Sequence, residues 1–442
     1  MRILLVTQAF APFNASGAIR VGKLAQYLLE RGHDVRVLTA SPLPYPRTLP
    51  VEIPADRISR TMSLDPFALL AWLRRNGPKG GAPAPAGSLL GTGYSGRLRR
   101  ELGALLAIPE PQAGWYVPAV ARGRQMFRAW RPHAVYASAL PFTAHMVAAR
   151  LARDATAPWI AEFRDQFSGN PYSNLPRWRG GIDRRIEKRV LATASACVTV
   201  SEPIAEALRR QHGKPTLVVL NGYDVRAEAQ AQPSTDRLAP VRVVYTGVIY
   251  PGRRDPSALF AALASLGDLA SRVDVVFYGQ DLRSVREAAR RFGVEERVRV
   301  QGAIAYADSL AEQQRADLLL LLLWSDPREV GVYTGKLFEY VGAGRPILAV
   351  GSEAGVAADL IRSRGLGVVA TAPDAIASAL RQWIEEKSAT GRIAGPSPQA
   401  KVGLSREEQF SAVDELLSAV VNPAIAPAML PGVVAQIQSR RA

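Results

Sequence analysis

The chain has 442 residues, 48% hydrophobic and 21% charged, which is ordinary globular usage; at ~100 to 200 residues per domain this predicts two or three domains and excludes disulfide miniproteins and repeat peptides. Its 55 Lys and Arg against 39 Asp and Glu leave a formal net charge of +16, which points to an anionic partner: nucleic acid, acidic lipid or a phosphorylated substrate. The single cysteine, Cys197, has no internal disulfide partner, four scattered histidines give no metal-ligand spacing, and no apolar run approaches the ~20 residues of a membrane span, so a cytoplasmic protein is expected.

Short β-branched runs, each followed by a helical pattern, recur along the chain and predict parallel α/β construction. Strands are expected at residues 2–7, 34–39, 133–138, 158–163, 196–201 and 216–221, and again at 241–246, 273–278, 297–301, 317–323, 346–350 and 367–370. The first helix sets Ala18, Val21, Leu24, Ala25, Leu28 and Leu29 on one face and stops at Gly32. Residues 46–115 interrupt the rhythm. Around a Gly/Pro-rich patch at 77–87, Phe67, Leu69, Leu70, Trp72 and Leu73 adjoin Arg74 and Arg75, and Arg97, Arg99 and Arg100 stand among leucines. Over residues 66–106 such a segment either lies in a membrane interface with its cations toward lipid phosphate, or packs as an insertion on its own domain.

The polar stretch 227–240, with Pro233 and Pro240, reads as the joint between two α/β domains. The expected division is 1–225 (with the insertion at 46–115), a linker at 226–240, and 241–403. Phe410, Val413, Leu416, Leu417 and Val420 then form an amphipathic helix, expected over 404–422, after which Pro423, Pro427 and Pro431 predict a flexible tail over 423–442.

Two segments carry chemistry. After the strand at 317–323, Thr334 stands where a cap should be, before a helix opening Gly335-Lys336-Leu-Phe-Glu339. Free N–H groups and the positive dipole end make that first turn an anion site; Lys336 adds a cation, and Glu339, three residues on, accepts hydrogen bonds from sugar hydroxyls. A nucleoside diphosphate offers both kinds of partner, whereas the plain alternative is a surface i,i+3 pair. The second is the loop Tyr245-Thr-Gly-Val-Ile-Tyr-Pro-Gly-Arg-Arg-Asp-Pro256. There Gly247 lets the backbone approach a ligand closely, and Arg253 or Arg254 holds diphosphate oxygens, unless either is solvated or pairs with Asp255. Charge building on a departing diphosphate would be stabilised at such a site.

Other classes fit poorly. Leu337 stands where a P-loop needs Ser or Thr, and Gly17 and Gly22 are too far apart for a dinucleotide fingerprint. The arginines form no aromatic-studded basic ribbon, so nucleic acid is not an expected partner. No Asp-x-Asp pair occurs, so neither a metal nor a cofactor is expected. His33, His133 and His145 read as structural.

In order along residues 1–420, Arg2-Ile-Leu-Leu-Val-Thr7, Arg31-Gly-His-Asp-Val-Arg-Val-Leu-Thr39, Ala161-Glu-Phe-Arg-Asp165, Val200-Ser-Glu202, Asn221-Gly-Tyr-Asp224 and Lys336-Leu-Phe-Glu-Tyr340 resemble retaining family 4 glycosyltransferases of the GT-B fold. The resemblance implies two Rossmann-like, doubly wound parallel-sheet domains facing a central cleft, with helix 404–422 crossing back to the N-terminal, acceptor-binding one. It implies transfer of a sugar from a nucleotide diphosphate sugar to a glycan or lipid-linked acceptor in surface polysaccharide or glycoconjugate synthesis, on the inner face of the membrane if 66–106 meets lipid. Carried over by residue, Glu339 would meet the ribose hydroxyls and Arg253, with Lys336, the diphosphate. Gly17 would approach the diphosphate from the other domain, Arg20 would contact phosphate or acceptor, and Asp165 would lie beside the acceptor channel or else pair with Arg164.

One departure matters. Many members place two glutamates with seven residues between them, but counting back from Glu339 lands on Gly331, and Glu329 is two positions too early. Either the loop delivers Glu329 to the sugar, or a backbone N–H near Val332 meets it instead. A catalytically silent GT-B partner subunit, or a nucleotide-sugar epimerase of the same fold, are the competing readings.

Overall fold

The computed structural model describes residues 1–15, 17–63, 101, 104–105, 107–170, 175–176, 178–225, 232–250 and 252–441. Its chain divides into two units, Met1–Val219 with Phe410–Ala442, and Leu220–Gln409. The basic apolar stretch expected at 66–106 lies outside the described residues apart from 101, 104 and 105, as do residues 226–231 of the expected linker.

In the first unit, Ile3, Leu4, Leu5 and Val6 are all buried, the mark of a strand covered on both faces. This strand, β1 (Arg2–Val6), is central to a parallel sheet with β2 (Asp34–Ala40), β3 (Ile58–Thr61), β4 (Ala134–Ala139), β5 (Trp159–Phe163), β6 (Ala196–Thr199) and β7 (Thr216–Val218). Their spatial order is β3-β2-β1-β4-β5-β6-β7. The expected strands recur within one to three residues at their ends. β3 was not anticipated, because Ile58, Ser59, Arg60 and Thr61 are all half-buried and an edge strand of that kind shows no alternation.

The second unit repeats the construction with β8 (Val241–Thr246), β9 (Val273–Tyr278), β10 (Val298–Gln301), β11 (Leu318–Leu322), β12 (Ile347–Val350) and β13 (Gly367–Ala370), in the order β10-β9-β8-β11-β12-β13 and parallel throughout. The leucine run of β11 explains itself here. Leu318, Leu320 and Leu322 belong to one core cluster and Leu319 and Leu321 to another, so successive side chains feed the two faces of the sheet. Both units are therefore doubly wound α/β folds. Among the described residues no helix is long and apolar enough to cross a membrane.

The helix Arg406–Val421 passes from the second unit into the first, to which Phe410 and all later residues belong. The flexible tail expected after Pro423 is corrected by the structure. Leu430–Ser439 is a helix whose Leu430, Val434 and Ile437 are buried, and it packs against β7, where the Val218 N–H donates to Gln438 Oε1 at 3.2 Å. The prolines misled because Pro427 and Pro431 occupy the opening positions of a 3-10 turn and of this helix, where a missing N–H costs nothing.

Candidate functional site

In the second sheet the chain runs outward one way from β8 and the other way from β11, so the loops leaving these two neighbours diverge and open a crevice at their C-terminal ends. The loop after β8 begins with Gly247, at φ +123°, whose N–H donates to Tyr278 O at 2.8 Å. A Cβ there would collide with the Lys336 side chain. The glycine thus makes room for Lys336, where a ligand's approach was expected to need it.

Lys336 lies in the first turn of the helix Gly335–Ala343, which follows β11. Its Nζ sits 5.1 Å from the centre of the Tyr245 ring, and no hydrogen bond or ion pair to it is present among the described residues. Burial pushes its ammonium down to about 8, the charge of Arg254 adds to the fall, and Glu339 opposes it.

The adjacent arginines part company. Arg254 turns inward: Nη2 donates to Glu329 Oε1 at 3.1 Å, and the guanidinium lies 5.5 Å from the Tyr250 ring. Arg253 turns the other way and stacks over Trp324 at 4.8 Å. Of these two diphosphate candidates, Arg254 is the one whose charge acts on Lys336.

Three expectations for the loop after β11 change. Thr334 occupies the N-cap position but makes no side-chain cap, and its buried Oγ1 has no hydrogen-bond partner among the described residues. Glu329 ends the short turn Pro327–Glu329 and is engaged by Arg254. The Val332 N–H donates to Glu329 O at 2.9 Å and so is used within the loop. Gly331 is buried, and a Cβ on Gly335 would meet nothing, so the protein itself does not demand a glycine there.

Glu339 accepts from Gln313 Nε2 at 3.1 Å, and the same amide donates to Thr246 Oγ1 at 2.9 Å. Burial raises its carboxyl above the usual range, against the pull of Gln313, Arg406, Lys336 and the Tyr306 hydroxyl. Tyr306, Gln313, Glu339 and Arg406 line one pocket together with Tyr223 and Asp224. Sequence reasoning missed Tyr306, Gln313 and Arg406; the one signal was the Asn221-Gly-Tyr-Asp224 motif, quoted without a role.

In the first unit Gly17, at φ +82°, precedes the helix Ala18–Glu30, and the Arg164 guanidinium fills the space where a side chain would stand. Arg164 donates to Ala139 O at 2.9 Å and Leu140 O at 2.7 Å. Arg20 is buried, with Nε on Glu162 Oε1 at 2.9 Å and Nη2 on Val219 O at 3.0 Å. In the structure, then, Arg20, expected to contact phosphate or acceptor, neutralises a buried carboxylate, which also accepts from Tyr136 at 2.6 Å. Asp165 is half-buried just beyond β5. His145 is buried against Glu162 O at 3.0 Å and pushed down to about 4, hence neutral. Among the described residues no group of three His, Cys, Asp or Glu side chains is placed to hold a metal ion.

Two family models cover most of the chain: residues 17–224 match the glycosyl transferase 4-like domain, and residues 240–386 match glycosyl transferases group 1. No curated protein matches the chain. Among solved structures, Anabaena Alr3699/HepE in complex with UDP and glucose is similar at TM-score 0.61 and 19% identity, over 95% of this chain and 99% of that one. Sucrose-phosphate synthase from Thermosynechococcus elongatus is similar at TM-score 0.56 and 13% identity over the whole of both chains. WaaG, a glycosyltransferase involved in lipopolysaccharide biosynthesis, is similar at TM-score 0.50 and 14% identity, over 99% of this chain and 100% of that one. With the doubly wound pair of sheets already described, these matches show that the chain belongs to the glycosyltransferases of the GT-B fold, a glycosyl transferase 4-like domain followed by a group 1 domain.

Proposed function

We propose that this enzyme transfers a sugar from a nucleoside diphosphate sugar, UDP-linked in the first instance, to a hydroxyl of a glycan or lipid-linked acceptor, with retention and without a metal. The observation that carries the reading is the placing of the Lys336 ammonium in the first turn of a helix, over the Tyr245 ring, near Arg254 and one turn before Glu339. The diphosphate would lie on Lys336, the first-turn N–H groups and Arg254, and the ribose hydroxyls on Glu339. Gly247, Thr334 and Gly335 shape that pocket, while Arg253 with Trp324 forms its outer rim. Breaking the anomeric C–O bond leaves negative charge on the phosphate, where the cations stabilise it; the departing oxygen then takes the proton of the acceptor hydroxyl as the new C–O bond forms. Asp165 and Gly17 serve the acceptor-binding unit. HepE, solved with UDP and glucose, supports UDP as the nucleotide to try first.

Lys336→Ala and Glu339→Ala are each expected to lower sugar transfer from the cognate UDP-sugar by about 100-fold, the cost of one preorganised charged contact. Wild-type turnover in both would overturn the site. The engagement of Glu329 by Arg254 keeps a silent partner subunit as a second reading; release of UDP only when an acceptor is present rules it out, and rules out an epimerase with it. We further propose that residues 66–106 bring the enzyme to anionic lipid at the inner face of the membrane.

A further inference from the structure

Within the second unit, residues 220–225 and the turn before Arg406 run side by side. The Tyr223 N–H donates to Leu404 O at 3.1 Å, the Arg406 N–H donates to Tyr223 O at 2.8 Å, and Tyr223 forms a parallel bridge with Ser405. Gly222 permits this approach: it sits at φ +65°, and a Cβ on it would lie 2.8 Å from Arg406 N. The aspartate of the same motif takes the charge, with Arg406 Nη1 2.6 Å from Asp224 Oδ2. Each residue of Gly222-Tyr-Asp224 is thereby accounted for by the placing of Arg406.

From there the arginine enters the pocket that Glu339 also lines. Arg406 is buried, its Nε has no hydrogen-bond partner among the described residues, and it lines the same pocket as Tyr306, Gln313 and Glu339. Glu339 itself is held by Gln313, which is tied to Thr246 at the end of β8. Burial works to protonate the Glu339 carboxyl, and Arg406 and Lys336 are the cations that resist it. The state matters, because two vicinal ribose hydroxyls can both donate to a carboxylate, whereas a carboxylic acid has an O–H of its own to place.

We propose that Arg406, anchored by Asp224 in the pocket that Glu339 lines, is a positioning residue whose guanidinium orients the Glu339 side chain so that it reads both hydroxyls of the donor's ribose. The proposal rests on the reading that Glu339 meets the ribose. It is tested by titrating the full-length protein with UDP and with 2′-deoxy-UDP, whose ratio of dissociation constants cancels everything the diphosphate and base contribute. Wild type is expected to favour UDP by about 10-fold, one hydrogen bond to a charged group. Arg406→Gln should bring the ratio within about 2-fold of unity, and Arg406→Lys, which keeps the charge, should restore most of it. An unchanged ratio in folded Arg406→Gln overturns the proposal. Should that variant fail to fold, Asp224→Asn releases the anchor alone: an intermediate ratio supports the proposal, and a wild-type ratio overturns it. Glu339→Gln separates the two ideas. If it leaves the ratio untouched, the ribose reading itself falls; if it collapses the ratio while Arg406→Gln does not, only the role of Arg406 falls.

Discussion

A lysine whose ammonium is pushed down to about 8 by burial is poised to titrate near neutrality. Because kcat/KM reports the free enzyme, its value for the donor should fall as pH rises through about 8, where Lys336 loses its proton. Lys336→Arg should hold its kcat/KM flat across that range, which a pH profile of both enzymes would show. Gly247→Ala should destabilise the protein by about 1–3 kcal/mol and weaken UDP binding together, since the new Cβ meets both a positive φ and the lysine's own side chain; thermal melting and titration check the two halves. The Lys336 and Glu339 pair was legible in the sequence because helix periodicity fixes their relation. Arg254 was not distinguishable from Arg253, because two adjacent loop residues point apart and nothing in spacing says which way. Thr334 shows the converse: the right residue in the right place does not guarantee that its hydroxyl turns toward the helix.

At the level of elements, buried strands announce themselves by dense β-branched and aromatic runs, which is why β8 and β9 were read to the residue even though Arg242 and Asp274 interrupt them. Exposed-edge elements do not. β3 is short and half-buried, and the helix Leu430–Ser439 hid behind prolines that read as breakers but serve as its start. That helix is structural: Val434→Asp places a charge against β7 and should cost about 2–4 kcal/mol, lowering the melting temperature by several degrees with UDP affinity unchanged. A variant that melts as wild type would mean the helix contributes little to the unit.

For the whole molecule, each unit has its own sheet and its own core, and the nucleotide site proposed belongs to one of them. Calorimetry should therefore resolve two transitions, of which UDP raises one, by mass action on the unit that binds it; a uniform shift of a single transition would refute the assignment to residues 220–409. The excess charge of +16 also divides. Lys336 accounts for part at the site, while Arg184, Arg185, Lys188 and Arg189 form an exposed face of the helix Arg179–Leu191 with no ion pair among the described residues. Sedimentation with anionic liposomes at low salt should be abolished by replacing Arg74, Arg75, Arg97, Arg99 and Arg100 with serine. If it persists, the lipid contact does not run through 66–106.

The first unit is discontinuous in sequence, and this sets an order of events at the ribosome. Residues 220–409 emerge as one stretch and can complete their fold while the protein is still being made. The first unit must wait, because the helix that covers β7 and the side chain that takes the Val218 N–H are translated only after the second unit. Until then β7 is a bare strand edge on a nascent chain, the kind of surface that recruits unwanted strands. Translation itself thus leaves the first unit, and not the second, as the part of this protein most exposed to misassembly and most dependent on chaperones.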